Sequence, residues 1–181
     1  MRFACLLIEH LPTRIETLQE PKLARHPIVV LRTWDDQVLD VSHSALAARV
    51  ELGDSRSRVE QLCPQATIIS ANEPLYQAIH SEAETTLADF AGPVEIRDLG
   101  EFLVEISSLL CIFQSEAELA EKLLTNVQST TRLVPALGIA GNKFAAAQAS
   151  KQATSETGNI LIVPNGNEKR FLELRAKQLN E

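Results

Sequence analysis

The sequence predicts an α+β fold of the ferredoxin-like kind, with a mostly antiparallel sheet, two long helices and a small α/β insert. Apolar runs such as residues 2–8 and 101–107 are too short for stable helices and indicate buried strands. Residues 74–90 and 115–132 repeat apolar side chains every three or four positions, which is typical of helices packed on a core. Strands and helices in this order form a split βαβ arrangement.

A segment of shorter elements lies between the first strand and the first long helix. Its strands are β-branched, and its second helix is ended by Pro64. Ser42 is well placed as an N-cap, because its hydroxyl can accept a hydrogen bond from the first turn. The predicted elements are strands at 28–31, 38–41 and 67–69 and helices at 42–50 and 55–62.

The remaining elements surround the two long helices. The first long helix carries Pro74 in its first turn, where proline is tolerated. The second opens with Ser115 and Glu118, a capping pair three residues apart. The other predicted elements are a hairpin of strands at 94–97 and 101–107, strands at 136–140 and 160–163, and helices at 142–153 and 171–179.

Composition and charge exclude several classes of protein. The 181 residues are 45% hydrophobic and 23% charged, which excludes a disordered chain. A net charge of -7 excludes strong binding of nucleic acid by overall charge. The basic residues near 49–58 and 169–177 are expected to lie on solvated helix faces.

The cysteines and the amino-terminal run indicate a cytoplasmic protein without a membrane span. Cys5, Cys63 and Cys111 lie far apart among apolar neighbours, so we expect buried free thiols and no zinc site. The apolar run ends at Glu9, which makes it too short for a signal peptide or a membrane helix.

The segment from Gly138 to Ser150, GIAGNKFAAAQAS, resembles the strand-to-helix segment of the palm in Y-family translesion DNA polymerases. Further similarities follow in the family's order at Leu62–Cys63–Pro64, Tyr76, 98–107 and 158–164. The resemblance implies a palm-like domain at 1–11 and 71–166, a fingers-like insert at 12–70, and the start of a thumb-like region or a C-terminal helix at 167–181. The family's thumb and little finger are expected to be missing from this chain.

The resemblance also implies that the family's metal site is degenerate. Active members hold Mg²⁺ with carboxylates, which neutralise charge during phosphoryl transfer. Leu7 stands where the family has its first acid, and Gly100 and Glu101 stand where it has two adjacent acids. Glu101 alone is retained, so we expect no catalytic residue and no metal cofactor.

The resemblance implies a similar loss in the nucleotide site. His43 and Leu46 occupy the positions of a tyrosine and an arginine that bind the triphosphate, and Leu11 or Pro12 replaces the aromatic steric gate. Lys143 stands where the family has a phosphate-binding lysine, although it can equally be a surface lysine at a helix start. His43 and Lys143 are therefore weak candidates for nucleotide binding.

This pattern of losses resembles the ImuB-like branch of the Y family. It implies an accessory or scaffold protein in DNA repair and translesion synthesis during the SOS response, with other DNA-repair proteins as partners and weak binding of DNA. One alternative is a residual metal-dependent nucleotidyltransferase with relocated acids such as Glu9, Glu95, Asp98, Glu101 and Glu105. Glu101 and Glu105 share a strand face about 7 Å apart, a spacing that also suits a solvated sheet face. Another alternative is a stand-alone interaction module that dimerises through its sheet.

Overall fold

The computed structural model describes residues 1–153 and 157–178, and the side chains of these residues except that of residue 178. The chain forms two compact units, Met1–Glu9 with Ile79–Glu181, and His10–Ala78. The helices are α1 (Leu11–Gln19), α2 (His43–Ala47), α3 (Arg56–Leu62), α4 (Glu73–Ala91), α5 (Glu116–Thr131), α6 (Lys143–Ser150) and α7 (Glu168–Gln178). The strands are β1 (Phe3–Leu7), β2 (Ile28–Leu31), β3 (Val38–Val41), β4 (Thr67–Ser70), β5 (Val94–Asp98), β6 (Glu101–Glu105), β7 (Ala136–Ala140) and β8 (Ile160–Ile162). Short 3₁₀ turns lie at Pro21–Arg25 and Leu109–Cys111.

The predicted strands and long helices are present, within a few residues of their predicted bounds. Residue 179, the predicted end of the last helix, lies outside the described residues. Helix α1 was not predicted, because its sequence LPTRIETLQ lacks a sustained apolar repeat. It nevertheless buries Leu11, Pro12, Thr13 and Ile15.

The first unit contains a five-stranded sheet in the order β5-β6-β1-β7-β8. All neighbouring strands are antiparallel except β7 and β8, which are parallel. The predicted α+β class with a mostly antiparallel sheet is therefore confirmed. Strand β1 lies at the centre, so its residues pair with β6 on one side and with β7 on the other.

Helices cover both faces of this sheet. Cys5 and Leu103 pack beneath the alanines of α6 in one apolar cluster. On the opposite face, Phe102 stacks against His80 of α4. A hydrogen bond of 3.2 Å from Thr86 to Thr130 joins α4 to α5. The sheet is thus buried by helices on each side.

The buried faces of the two long helices differ in detail from the prediction. In α4, Tyr76, His80, Ala83 and Leu87 are buried, whereas the predicted Leu75, Ile79 and Phe90 are only half-buried. In α5 the predicted cap is confirmed, because Ser115 Oγ accepts a hydrogen bond of 3.1 Å from the Glu118 amide. Its buried residues are Leu119, Ala120, Leu123, Leu124, Val127 and Thr131.

The second unit contains a three-stranded sheet in the order β3-β2-β4. Strand β2 is antiparallel to β3 and parallel to β4. Ser55, predicted as the first residue of a helix, instead caps α3, because its side chain accepts a hydrogen bond from the Arg58 amide. Ser42 was expected to cap α2, but its hydroxyl instead accepts a hydrogen bond of 2.9 Å from the Ile28 amide. The serine therefore joins α2 to the sheet.

The three cysteines are free, as predicted, but they differ in burial. Cys5 and Cys63 are buried, whereas Cys111 is exposed, so the prediction of three buried thiols is wrong at Cys111. The cause is local, because Cys111 ends a 3₁₀ turn instead of lying in a strand or core helix. None of the described helices combines the length and apolar composition that a membrane crossing requires.

Gly138 in β7 permits the close approach of α6, and this suggests a test of the packing. A β-carbon at residue 138 would lie 2.2 Å from the Ala146 carbonyl oxygen and 2.3 Å from the Ser150 nitrogen. We expect Gly138→Ala to lower the free energy of unfolding by about 1 to 3 kcal/mol, because backbone atoms must shift. Urea denaturation measures this change.

The control is Ala117→Gly, which removes one methyl group at an exposed position of α5 and should cost about 1 kcal/mol from helix propensity alone. A Gly138→Ala protein as stable as the wild type would contradict the packing described here.

Candidate functional site

Three predicted site residues meet at one end of the first unit's sheet. Leu7 is the last residue of β1 and pairs with Glu101, the first residue of β6. Gly100 directly precedes Glu101, and its carbonyl accepts a hydrogen bond of 2.8 Å from the Ile8 amide. The fold therefore gathers these positions as the family resemblance implies, although only Glu101 carries a carboxylate.

The turn at Gly100 is held by a histidine that the sequence analysis did not single out. Gly100 has φ of 86°, a left-handed conformation that favours glycine and would strain an aspartate. Its amide donates a hydrogen bond of 3.0 Å to Nδ1 of His80. The sequence offered one signal for this role, since His80 follows Tyr76 by four residues on the buried face of α4.

His80 accepts this hydrogen bond as a neutral imidazole. Burial lowers the pKa of His80, while the charges of Glu84 and Asp98 act in the opposite direction. The ring also stacks on Phe102 at 4.7 Å between centroids. Since Nδ1 must remain unprotonated to accept from the Gly100 amide, the turn depends on the neutral form of His80.

Glu101 is buried and engaged by neighbours, whereas the sequence analysis left open a solvated sheet face. Glu101 is only 9% exposed. The Cys5 thiol lies 3.8 Å from Oε1, and Lys151 Nζ lies 3.9 Å from Oε2. Burial raises the pKa of Cys5 to about 11, so this thiol stays protonated at neutral pH and remains a donor. Glu105, two residues along the strand, is exposed.

The other candidate acids do not converge on Glu101. Glu95 forms an ion pair with Lys143, and the hydrogen bond from Lys143 lowers the pKa of Glu95. Asp98 accepts a hydrogen bond of 2.7 Å from the Leu99 amide and is exposed. Glu9 is also exposed. In the part of the chain that the structure describes, no three His, Cys, Asp or Glu side chains are grouped so that they could hold a metal ion.

This donor set does not fit the Mg²⁺ ions of active family members. Mg²⁺ requires several hard oxygen ligands in near-octahedral geometry. Leu7 supplies no oxygen, Gly100 has no side chain, and Glu101 faces the ammonium group of Lys151. One carboxylate beside a cation gives Mg²⁺ too few oxygen ligands. These residues therefore support no chemical step through a metal.

Lys143 begins α6, whose N-cap is Asn142. Besides pairing with Glu95, its ammonium group lies 5.9 Å from the centre of the Phe3 ring. The two partners hold the side chain near the central strand β1 and the edge strand β5. Its role as a phosphate-binding residue stays a prediction.

The remaining predicted residues lie in the second unit. His43 is exposed at the start of α2, and its ring meets that of His10 edge-on at 5.2 Å. His10 bonds in turn to buried Asp40 through Nδ1 at 2.9 Å. Leu46 is 41% exposed, while Leu11 and Pro12 are buried in the first turn of α1.

Three residues of the basic clusters pair with acids. Arg56 lies 2.8 Å from Asp36, and Arg58 lies 3.2 Å from Asp54. In α7, Lys169 lies 4.0 Å from Glu173. These pairs spread the positive charge among carboxylates, as expected for solvated helix faces.

A buried arginine ties the first unit together, and no sequence signal identified it. Arg2 donates to the Glu116 carboxylate at 2.6 and 2.5 Å and to the Val163 carbonyl at 3.0 Å. Its Nη1 lies 3.8 Å from Glu168. Glu168 also accepts a hydrogen bond of 2.9 Å from the Gly141 amide. Arg2 thus joins β1 to the starts of α5 and α7.

The lowered pKa of His80 predicts a loss of stability on mild acidification. Below the unfolded-state pKa of about 6.5, the unfolded chain binds a proton that the folded chain resists, so stability falls as pH falls through this region. We expect the free energy of unfolding to decrease more from about pH 7.5 to about pH 5.5 in the wild type than in His80→Gln. Urea denaturation at each pH measures both slopes, with exposed His26→Gln as the matched control. Equal slopes in the wild type and His80→Gln would contradict this assignment.

Comparison with known proteins identifies relatives of this chain. DNA polymerase IV of Dehalococcoides mccartyi strain CBDB1 is 28% identical over 160 residues, covering 87% of this chain and 40% of the relative. DNA polymerase IV 2 of Mesorhizobium japonicum is 28% identical over 158 residues, covering 87% of this chain and 37% of the relative. The chain therefore spans about two fifths of the length of these relatives.

Solved structures give the same fold. The DinB structure from Sulfolobus solfataricus matches with a TM-score of 0.81 at 19% identity, covering 93% of this chain and 49% of that chain. A Dbh ternary complex matches with a TM-score of 0.80 at 18% identity, covering 93% of this chain and 49% of that chain. At this identity the similarity shows the fold alone, which is that of a palm and fingers portion. Residues 8–151 match the impB/mucB/samB family, and since this range is most of the sequence, the chain belongs to that family of Y-family polymerase-like proteins.

Proposed function

We propose that this chain is a catalytically inactive Y-family polymerase-like module that acts as an accessory or scaffold in DNA repair and translesion synthesis. One observation carries the proposal. Where the family's acids would converge, Leu7 pairs with Glu101, and Glu101 lies against Cys5 and Lys151. The fold is retained around a position that cannot gather metal ligands.

The geometry at Gly100 supports a loss of the metal site that a single substitution does not reverse. A β-carbon is disfavoured at its φ of 86°, and the amide donates a hydrogen bond to His80. An aspartate at this position could keep that hydrogen bond, but it would have to adopt the left-handed backbone. The turn therefore favours glycine over an acidic residue at this position.

The proposal also covers the partners of the protein and its cellular location. The module works through contacts with other DNA-repair proteins, as in the ImuB-like branch, within the SOS response and in the cytoplasm. Its contact with DNA is weak, because the net charge is -7 and Arg56 and Arg58 are paired with aspartates. Free thiols at Cys5, Cys63 and Cys111 suit a reducing compartment.

The first test is nucleotide incorporation. We expect the protein to add no nucleotide to a primer and template with either Mg²⁺ or Mn²⁺, since Leu7 and Gly100 supply no metal ligand. Gel analysis of a labelled primer measures this, with a DNA polymerase IV as the positive control. Incorporation of even one nucleotide above the blank without protein would overturn the proposed inactivity.

The second test separates inactivity from a residual enzyme with relocated acids. We expect no heat of binding when Mg²⁺ or Mn²⁺ is titrated into the protein, because Glu101 is the sole retained acid and faces Lys151. The matched control is Glu101→Gln, which removes that carboxylate and keeps its shape. A saturable heat that disappears in Glu101→Gln would favour the residual nucleotidyltransferase instead.

A further inference from the structure

An apolar loop on the first unit has no part in the polymerase-like site. We call residues 109–113, of sequence LLCIF, the 109–113 loop; it follows β6 and includes the 3₁₀ turn Leu109–Cys111. Ile112 is 76% exposed, and Cys111 is exposed beside it. Leu109, Leu110 and Phe113 are half-buried. Five consecutive apolar residues therefore reach the surface.

The 109–113 loop is held in place by its own backbone. The amides of Leu109 and Leu110 donate to the Ile106 carbonyl at 3.1 and 3.2 Å. The amide of Ile112 donates to the Leu109 carbonyl at 2.9 Å. A preformed surface binds a partner with a smaller loss of conformational entropy than a disordered segment would.

An aromatic contact anchors the loop to the first long helix. The Phe113 ring lies 6.0 Å from the Phe90 ring of α4, measured between centroids. Since Phe113 faces inward against Phe90, Ile112 and Cys111 are left on the outside. Contiguous apolar surface that is exposed to solvent often marks a site of protein interaction.

The charges on the stretch of chain that contains the loop have one sign. Between Arg97 and Lys122 the sequence contains no basic residue and six acids: Asp98, Glu101, Glu105, Glu116, Glu118 and Glu121. Glu116 is paired with Arg2 and Glu101 with Lys151, whereas Glu105, Glu118 and Glu121 are exposed. Glu118 also accepts from the Gln114 amide at 2.8 Å, directly beside the loop. The loop is therefore an apolar patch beside the acidic first turns of α5, and we call these turns its acidic surround.

The negative charge beside the 109–113 loop decides which kind of molecule can bind there. DNA and anionic lipid surfaces carry negative charge and are repelled. A second copy of the chain would bring the same acidic surround against itself. A protein segment that combines apolar side chains with lysine or arginine satisfies both the patch and its surround.

We propose that the 109–113 loop is a docking site for a partner protein segment that presents apolar side chains flanked by basic residues. Ile112 inserts into the apolar side of that segment, while Glu118 faces its cations. The inference rests on the proposed accessory role, since that role requires a partner.

Fluorescence anisotropy tests the docking site on the whole chain. The probe is a labelled helical peptide of leucine and lysine with one apolar face, and a leucine and glutamate peptide of the same pattern is the charge control. We expect the lysine peptide to bind and Ile112→Ser to bind it about tenfold more weakly, as truncation of an interface anchor does. The matched variant is Leu52→Ser, which changes a 66% exposed leucine in the other unit and should bind like the wild type.

Cys111 locates the bound peptide. Cys5 and Cys63 are buried, so N-ethylmaleimide should alkylate Cys111 first. We expect the saturating lysine peptide to slow this alkylation at least about fivefold, followed by mass spectrometry, because it covers the loop.

Several results would overturn the docking site. They are equal binding of the lysine and glutamate peptides, unchanged binding in Ile112→Ser, or unprotected Cys111. A dimer in sedimentation that Ile112→Ser dissociates would assign the loop to a second copy instead. Nucleotide incorporation is measured separately, so loss of the docking site leaves the proposed inactivity standing, and the reverse also holds.

Discussion

The close packing of α6 on the centre of the five-stranded sheet is the constraint on which the first unit depends. Gly138 leaves no room for a β-carbon beneath Ala146 and Ser150. The alanines of α6 then fit against Cys5 and Leu103. A helix held this close brings Lys143 to Glu95 at its first residue and Lys151 to Glu101 just beyond its last. The same packing that stabilises the fold therefore places one lysine beside Glu95 and another beside Glu101.

The turn at Gly100 also has a structural role at a position that carries no carboxylate. Its positive φ and its bond to His80 stabilise the hairpin between β5 and β6 without any acidic side chain at that position. His80 is buried by Phe102 on one side, so the turn is part of the core of the unit. The hairpin is thus held by packing and by the hydrogen bond from Gly100 to His80.

The surface is consistent with the proposed role in protein contacts. The positive charges of Arg56 and Arg58 are paired within the fold, whereas Ile112 and Cys111 remain exposed amid acids. A surface with this distribution attracts basic and apolar protein segments and disfavours phosphate. The features that weaken DNA binding and those that favour a partner protein have the same electrostatic origin.

The sequence alone determined the α+β class, most strands, both long helices and the cap at Ser115, because local periodicity and capping depend on neighbouring residues. The resemblance also singled out Leu7, Gly100 and Glu101, which the structure places at one end of the sheet, while their role at a former metal site stays a prediction. Only the tertiary structure decided that His80 holds Gly100, that Arg2 joins three elements, that Lys151 faces Glu101 and that Cys111 is exposed. These contacts join residues from about 20 to more than 100 positions apart, or depend on how a loop packs, and no local pattern encodes such pairings.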